Sequence, residues 1–221
     1  ARESYPNQIP ILGINLGYLG FLAETSIEGL DEQLQLLIQG KSIYSQRMAL
    51  WVKVLSPSGE SLFESPVINE TLIYRRYKGR ILELPTFIDG EYLTRYRADG
   101  IIVCTPTGST GHSLSAGGPI LKPEMRAIVI TPICAHTLAI RSIVLDDQDI
   151  VTVRIRPQDS DVCLTVDGQV DIDVPGGFEI AVSTADHPIT FVRTGKIGFY
   201  ELLRQKLYLG ETSAVRRVEH G

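Results

Sequence analysis

The 221-residue sequence has few cysteines and no long hydrophobic run, and each shortage excludes a class of protein. Three cysteines do not make the disulfide framework of a small secreted protein, and no apolar stretch approaches the roughly 20 residues of a membrane-spanning helix. The polar start, residues 1–6, lacks the apolar core of a secretion signal. We therefore predict a cytoplasmic protein that binds no membrane, with three buried, reduced thiols at Cys104, Cys134 and Cys163.

Positive charge is also scarce, since 21 Lys and Arg stand against 26 Asp and Glu for a formal net charge of −5. Such a chain offers no broad cationic field, so we expect no nucleic-acid partner. Histidine is rare as well, and the spacing of its four copies does not match metal ligands, so no protein-bound metal site is predicted: His112, His136, His187 and His220. The remaining composition is that of a globular protein, with 43% hydrophobic residues to fill a core.

The first 41 residues predict the remainder of an α/β domain. An apolar run over residues 9–15 indicates a buried strand, and a helix is expected over residues 27–39. Thr25 and Glu28 have the spacing of a capping box at the start of that helix. A strand, a glycine-containing turn and a helix in this order are typical of an α/β fold.

The middle of the chain, residues 42–194, predicts a large β-sandwich domain. Short strand candidates, among them residues 67–74, 162–166 and 189–193, are separated by turn signals such as Asp89-Gly90 and Asp167-Gly168. Together with the first 41 residues, this pattern predicts a two-domain α+β protein.

Residues 195–221 return to helical spacing, with a helix expected over residues 199–209. We expect this C-terminal helix to pack back on the first portion of the chain.

The densest candidate for chemistry lies over residues 99–119. An apolar strand runs into Thr105-Pro106-Thr107-Gly108-Ser109-Thr110, and the segment closes with Gly117-Gly118-Pro119. Glycines let a ligand approach the backbone, and hydroxyls both donate and accept hydrogen bonds. A phosphate-binding turn and a plain Ser/Thr-rich loop with a helix cap are both compatible with this composition.

A second candidate is Asn69-Glu70, two polar residues within an apolar strand candidate. Burying them without partners costs free energy, so they either face water at a sheet edge or hydrogen-bond a ligand. A carboxylate such as Glu70 suits paired hydroxyls.

Taken together, these segments resemble the ATP- or polyphosphate-dependent NAD kinases. Five segments occur in the order and spacing of that family: GINLGYLGFL, VINETLIYR, RADGIIVCTPTGSTGHSLSAGGPI, TPICAHTLAIRSIVL and LTVDGQ. The resemblance implies transfer of a phosphoryl group from ATP or polyphosphate to the 2′-hydroxyl of the adenosine ribose of NAD, which gives NADP. It also implies a divalent cation of the Mg²⁺ type with the donor, and a homodimer or homotetramer.

The resemblance also implies residue roles. Asn69 and Glu70 match the pair that binds the adenosine half of NAD, and Asp99 matches the acid that meets the nicotinamide end, usually from a neighbouring subunit. The other implied substrate-binding residues belong to two basic positions, to the TPTGST segment and the turn that continues it, and to the D-G-Q motif: Arg80, Arg97, Thr107, Thr110, Gly111, His112, Ser113, Leu114, Ser115 and Gln169.

Two departures from the family pattern stand out. Gly111-His112 replaces a common Ala-Tyr, which leaves a smaller ring that can become charged. The family's Gly-Gly-Asp-Gly motif, whose Asp is the proposed general base, is absent, and we expect it a few residues upstream of Ala1 in a longer protein. No catalytic residue is therefore assigned within this chain, which as it stands is expected to turn over negligibly.

Two other functions stay open. One is a related lipid- or sugar-type kinase with the same α/β and β-sandwich plan, and the other is a non-catalytic NAD(P)-binding sensor. Asn69-Glu70 and the loop over residues 107–115 favour NAD as the substrate.

Overall fold

The computed structural model describes residues 1–16, 20–77, 81–136, 139–195 and 197–207. The chain divides into two compact units, one of residues 1–11 with 46–190 and one of residues 12–45 with 191–221. The first eleven residues therefore group with the sandwich strands, whereas the sequence placed them in the α/β portion. The predicted domain boundaries after residues 41 and 194 stay a prediction.

The larger unit is built from two antiparallel six-stranded sheets. Sheet A has the order β12-β11-β10-β7-β14-β15, formed by Ile143–Asp146, Ala127–Ile133, Gly100–Cys104, Glu70–Arg75, Val162–Val166 and Val170–Val174. Sheet B has the order β6-β5-β16-β13-β8-β9, formed by Ser61–Val67, Leu50–Leu55, Glu179–Thr184, Val151–Arg154, Leu82–Ile88 and Glu91–Ala98.

Alternation of side chains along the strands places the core between the two sheets. Leu50, Val52 and Val54 of β5 are buried, and they pack in one cluster with residues of sheet A such as Ile73 and Leu164. This is the inward face of each strand, because successive side chains point to opposite faces of a sheet. The predicted sandwich is confirmed.

Strand β10 differs because all five of its residues are buried. Its Ile101 and Val103 belong to the sandwich core, whereas Ile102 and Cys104 pack in a second cluster with Leu121 on the outer face of sheet A. The segment that follows β10 therefore covers the outer face of sheet A.

The described part of the smaller unit has the helices α1 (Leu30–Ile38) and α3 (Phe199–Leu207) and the parallel pair β2 (Ile14–Asn15) and β3 (Thr25–Ser26). The rings of Phe21 and Phe199 lie 6.4 Å apart, which confirms that α3 packs on the first portion of the chain. The strands β1 (Ile11–Leu12), β17 (Ile189–Arg193) and β4 (Ile43–Arg47) form a sheet in the order β1-β17-β4.

The predicted start of the first helix is wrong. The helix begins at Leu30 after Gly29, without a side-chain cap, because Thr25 lies in β3 and Ser26 accepts the N–H of Gly29 instead. Within the helix, Gln33 is buried and Ile38 is 86% exposed. The last two residues of the helix predicted over 199–209 lie outside the described residues.

Candidate functional site

The strand predicted over residues 67–74 is interrupted at Ile68 and Asn69, between β6 and β7. The interruption is caused by Asp167, in the turn between β14 and β15. Its carboxylate accepts the backbone N–H groups of Ile68, Asn69 and Glu70 at N···O distances of 3.1, 2.7 and 3.3 Å. The N–H of Asp167 in turn donates to the carbonyl of Glu70 at 2.9 Å. Asp167 thus determines where β7 begins and which backbone geometry the Asn-Glu pair adopts.

The TPTGST turn lies directly against the Asn69 backbone. The N–H of Thr105 donates to the carbonyl of Asn69 at 2.9 Å, and the Thr105 hydroxyl donates to the carbonyl of Ile68 at 2.7 Å. A Cβ on Gly108 would lie 2.1 Å from the Asn69 carbonyl oxygen, so only glycine permits this approach. The two sequence candidates, far apart in the chain, are therefore one structural unit.

Several hydroxyls of this segment hold the turn rather than face solvent. Ser109 is fully buried, and its hydroxyl donates to the carbonyl of Pro106 at 2.6 Å and accepts the N–H of Leu121 at 3.0 Å. Ser113 is also fully buried, with its hydroxyl 2.9 Å from that of Thr131. The structure therefore gives Ser113, an implied substrate-binding residue, a hydroxyl partner on β11.

Glu70 is the carboxylate next to this turn. It is half-buried, and its Oε2 has no hydrogen-bond partner among the described residues. Burial, and secondly the nearby charge of Asp167, raise the pKa of Glu70 from 4.5 to about 7. An unpartnered acceptor of this kind is suited to hydroxyl groups of a ligand.

Two groups lie close to the Glu70 carboxylate. A Cβ on Gly111 would sit 3.5 Å from Glu70 Oε2, so the turn is near enough for one ligand to contact both. Cys104 is the register partner of Glu70 across β10 and β7, and burial raises the pKa of its thiol to about 12. The neighbouring thiol therefore stays neutral and does not compete for a proton with Glu70.

A cavity of about 500 Å³ lies beside these groups, also on the outer face of sheet A. Asp99 and His112 line it together with Leu72, Tyr74, Arg76 and Ile133. Asp99 is exposed at the junction of β9 and β10, and His112 is exposed at the start of the short helix α2 (His112–Ser115). This volume is in the range of small-molecule pockets.

The arginines beside this cavity are paired with acids. Arg75 Nη2 lies 3.0 Å from Asp159 Oδ1, and Arg76 Nη2 lies 3.1 Å from Asp173 Oδ1 and 3.2 Å from the Cys163 thiol. These contacts hold both guanidinium groups against sheet A.

The structure places the remaining candidates as follows. Arg97 is exposed on β9 of sheet B, with its Nε 3.6 Å from Glu83 Oε1, and Gln169 is exposed and accepts a hydrogen bond from Arg2 Nη2 at 2.9 Å. Neither is brought to the Asn69-Glu70 pair by a described contact. Arg80 lies outside the described residues.

Within the TPTGST turn, Thr107 is buried with its hydroxyl unpartnered among the described residues, and Thr110 donates to the Thr107 carbonyl at 3.3 Å. Leu114 is half-buried and Ser115 is exposed on α2.

Sequence reasoning missed the roles of Asp167 and Thr105. Asp167-Gly168 is a hairpin signal and part of the D-G-Q motif in the sequence, but nothing local connects it to a segment about a hundred positions earlier. The thiol prediction is partly wrong: Cys104 and Cys163 are buried, but Cys134 is exposed in a left-handed backbone conformation.

The described ranges contain neither a cluster of metal-ligating side chains nor a membrane-spanning helix. Within them, no group of three His, Cys, Asp or Glu side chains lies close enough to hold a metal ion. No helix among the same residues has the length and apolar character needed to cross a membrane.

Comparison with known proteins agrees with the resemblance. Residues 68–194 match the ATP-NAD kinase C-terminal domain, and residues 1–42 match the ATP-NAD kinase N-terminal domain. The NAD kinase of Geobacter sulfurreducens is 45% identical over 211 residues, which cover 96% of this chain and 74% of that protein. The NAD kinase of Thiobacillus denitrificans is 35% identical over 96% of this chain and 72% of its own length.

Solved structures show the same relationship. Yeast NADH kinase complexed with NADH superposes with a TM-score of 0.86 at 32% identity, covering 93% of this chain and 60% of the yeast chain. An NAD kinase from Archaeoglobus fulgidus in complex with ATP superposes with a TM-score of 0.71 at 26% identity, covering 85% of this chain and 70% of the archaeal chain. By family match, identity and fold, this chain belongs to the NAD kinase family.

Proposed function

We propose that this protein is an NAD kinase, which transfers a phosphoryl group from ATP or polyphosphate to the 2′-hydroxyl of the adenosine ribose of NAD. One observation carries the proposal: Asn69 and Glu70 are held by backbone contacts against the glycine-containing TPTGST turn. Family membership supports the reaction, and the similar structures were solved with NADH and with ATP.

In this proposal the residues of the chain bind and orient the dinucleotide. The unpartnered carboxylate oxygen of Glu70 accepts hydrogen bonds from ligand hydroxyls, and the Asn69 side chain adds a donor and an acceptor beside it. The residues of the TPTGST turn and the exposed His112 lie around the same ligand. Phosphoryl transfer relies mainly on positioning and on stabilising the phosphate charge, so such contacts have large effects on the rate.

The proposal assigns no base to the described residues. Removal of the 2′-hydroxyl proton is proposed for an aspartate encoded upstream of Ala1, as the family resemblance implies. The divalent cation is proposed to arrive with the phosphates of the donor. Because no described cluster of ligands fits a metal ion, no residue of this chain is assigned to it.

The remaining site residues are proposals of the same standing. Asp99 and His112 line the cavity beside the site and are proposed to meet the nicotinamide end of NAD. Arg80, Arg97 and Gln169 are proposed as outer contacts. A homodimer or homotetramer is proposed, and sedimentation of the purified protein tests it.

The deciding experiment measures NADP formation from NAD with ATP and, separately, with polyphosphate. The protein is prepared both as this chain and with the upstream segment of its gene. NADP formation with the upstream segment supports the function, and full activity without that segment would remove the proposed base. A panel of diacylglycerols, sphingoid bases and sugars tests the lipid- or sugar-kinase alternative. Binding of NAD without turnover by the longer protein would indicate a sensor.

A further inference from the structure

We infer that Asp167 is a positioning residue for substrate binding, which acts through the backbone of residues 68–70 and through its negative charge beside Glu70. The inference rests on the proposed function, because it concerns how the Asn-Glu pair meets NAD.

The geometric part of the argument is the convergence of hydrogen bonds on one carboxylate. Three consecutive N–H groups, those of Ile68, Asn69 and Glu70, reach Asp167, and the Asp167 N–H returns to the Glu70 carbonyl. Hydrogen bonds to an ionised acceptor are roughly twice as strong as neutral ones. A carboxylate with these contacts fixes the direction in which the Asn69 and Glu70 side chains leave the backbone.

The backbone of Asp167 supports the same role. Its φ is 51°, in the left-handed region that only glycine, asparagine and aspartate adopt readily. The left-handed residue turns the chain between β14 and β15 while its side chain contacts the start of the neighbouring strand β7.

The electrostatic part is the proximity of two acids. Burial is the larger cause of the raised pKa of Glu70, which is about 7, and the negative charge of Asp167 is the second cause. Among the described residues, the Cys104 thiol on β10 stays neutral beside Glu70, and Gly111, the residue before His112, approaches the Glu70 carboxylate. An ionised Glu70 accepts hydrogen bonds from ligand hydroxyls, so burial and, secondly, the charge of Asp167 set the lower end of the pH range for binding.

The test compares Asp167→Asn with a matched substitution elsewhere. Asparagine keeps the left-handed backbone and one acceptor oxygen but removes the charge. The matched control is Asp89→Asn, because Asp89 also precedes a glycine in a β-hairpin, has a φ of 50° and accepts a backbone N–H, that of Ile150. The chain with its upstream segment is used, and kcat and KM for NAD are measured from about pH 5 to about pH 9.

For Asp167→Asn we expect KM for NAD to rise about tenfold above neutral pH with little change in kcat. We also expect the midpoint of kcat/KM on the acid side to move to lower pH, because Glu70 loses a neighbouring negative charge. Asp89→Asn leaves both quantities unchanged. The inference would be overturned if Asp167→Asn kept the wild-type KM for NAD and the wild-type acid-side midpoint of kcat/KM. It would also be overturned if a lowered melting temperature were the only change in this variant.

A second variant keeps the inference testable if Asp167→Asn does not fold. In Glu70→Gln, the titration of kcat/KM with a midpoint near 7 must disappear, and a midpoint that persists there would contradict the role given to the Asp167 charge.

Failure of the proposed function is a different result. A wild-type protein that binds NAD without forming NADP refutes the kinase, and the pH dependence of the NAD dissociation constant then replaces kcat/KM in the same comparison. A protein that neither binds nor phosphorylates NAD would overturn both.

Discussion

Two hairpins of the larger unit share a left-handed Asp-Gly pair, but they differ by one residue in loop length and in their surroundings. Asp89-Gly90 joins β8 to β9 in sheet B, and Asp167-Gly168-Gln169 joins β14 to β15 in sheet A, with left-handed φ at both Asp-Gly pairs. The Asp89 N–H donates to the carbonyl of Ile150, and the Asp89 carboxylate accepts the N–H of the same residue. Asp167 makes the same pair of hydrogen bonds with Glu70. The two turns therefore share the left-handed Asp-Gly pair and the hydrogen bonds of the aspartate to one residue of a neighbouring strand segment.

The difference lies in what each aspartate contacts. Asp89 contacts Ile150, whose side chain is 45% exposed, whereas Asp167 contacts Asn69 and Glu70 beside the TPTGST turn. The comparison shows that the same turn motif stabilises the start of a strand in both places. The functional role of the Asp167 turn comes from the residues that it contacts, Asn69 and Glu70.

The strongest way to break the Asp167 side of the comparison is Gly108→Ala. The new Cβ would lie 2.1 Å from the Asn69 carbonyl oxygen, so the turn must move away from the Asn-Glu pair. We expect kcat/KM for NAD to fall by at least about a hundredfold, as displacement of a positioning group by 1 Å commonly costs. Gly198→Ala, where a Cβ meets nothing within 4 Å, is the control. Steady-state kinetics of both variants check this, and equal activities would refute the close packing of the turn on Asn69.

Removal of the Glu70 carboxylate comes next in size. Glu70→Ala and Asn69→Ala each leave a ligand group unpaired, which costs about 1–3 kcal/mol and raises KM for NAD about tenfold to a hundredfold. The control is Glu91→Ala, since Glu91 is an exposed carboxylate directly after the Asp89-Gly90 turn. Asp99→Ala is expected to raise KM as well. Calorimetric NAD binding by all four variants tests the site, and unchanged affinities in the first two would argue against it.

A third prediction concerns stability and pH. The folded-state pKa of Glu70 is raised to about 7, so the wild type loses stability as pH rises from about 4.5 through about 7, where burial opposes ionisation. Glu70→Gln removes that loss, and its melting temperature is expected to exceed the wild-type value increasingly over this interval. Glu91→Gln serves as the exposed comparison and should give a difference that does not grow with pH. Thermal unfolding between about pH 5 and about pH 8 decides this, and a constant difference for Glu70→Gln would contradict the assigned pKa.

The smallest expected effect compares the two turn glycines directly. Gly90→Ala and Gly168→Ala place a side chain at φ of 81° and 65° with open space around it, so each should cost about 1 kcal/mol of stability. We expect KM for NAD to rise only in Gly168→Ala, because that turn holds the Asn-Glu pair. Equal kinetic effects, or none in either variant, would remove the functional distinction between the hairpins.

Much of the fold was predictable because alternation along a strand is a local signal. The strands Val162–Val166 and Ile189–Arg193 were predicted with their observed bounds, and both Asp-Gly hairpins were recognised. The edge strand Ile143–Asp146 was missed, because it has only four residues and none of them is buried. The capping box failed because Thr25 pairs with Ile14 in a parallel bridge, which local spacing does not reveal.

The candidate site was predictable in its members but not in its construction. Asn69, Glu70 and the TPTGST turn were singled out from residue type, because polar and glycine-rich stretches interrupt apolar strands. The Thr105 N–H joins the turn to the Asn69 carbonyl, and the Asp167 carboxylate holds the backbone of the pair from roughly a hundred positions away, because strands β14 and β7 are neighbours in sheet A. Contacts of this kind depend on the topology of the whole sheet, so local sequence patterns do not predict them.

The different environments of Cys104 and Cys134 allow a fluorescent label to be attached selectively at Cys134. The thiol of Cys104 lies fully buried beside Glu70 with a pKa near 12, so electrophilic dyes do not attack it under ordinary conditions. Cys134 is exposed one residue beyond Ile133, whose carbonyl accepts the N–H of Asp99. A maleimide fluorophore attached at Cys134 would stand next in sequence to Ile133, which lines the cavity, and its emission is expected to change when a dinucleotide binds.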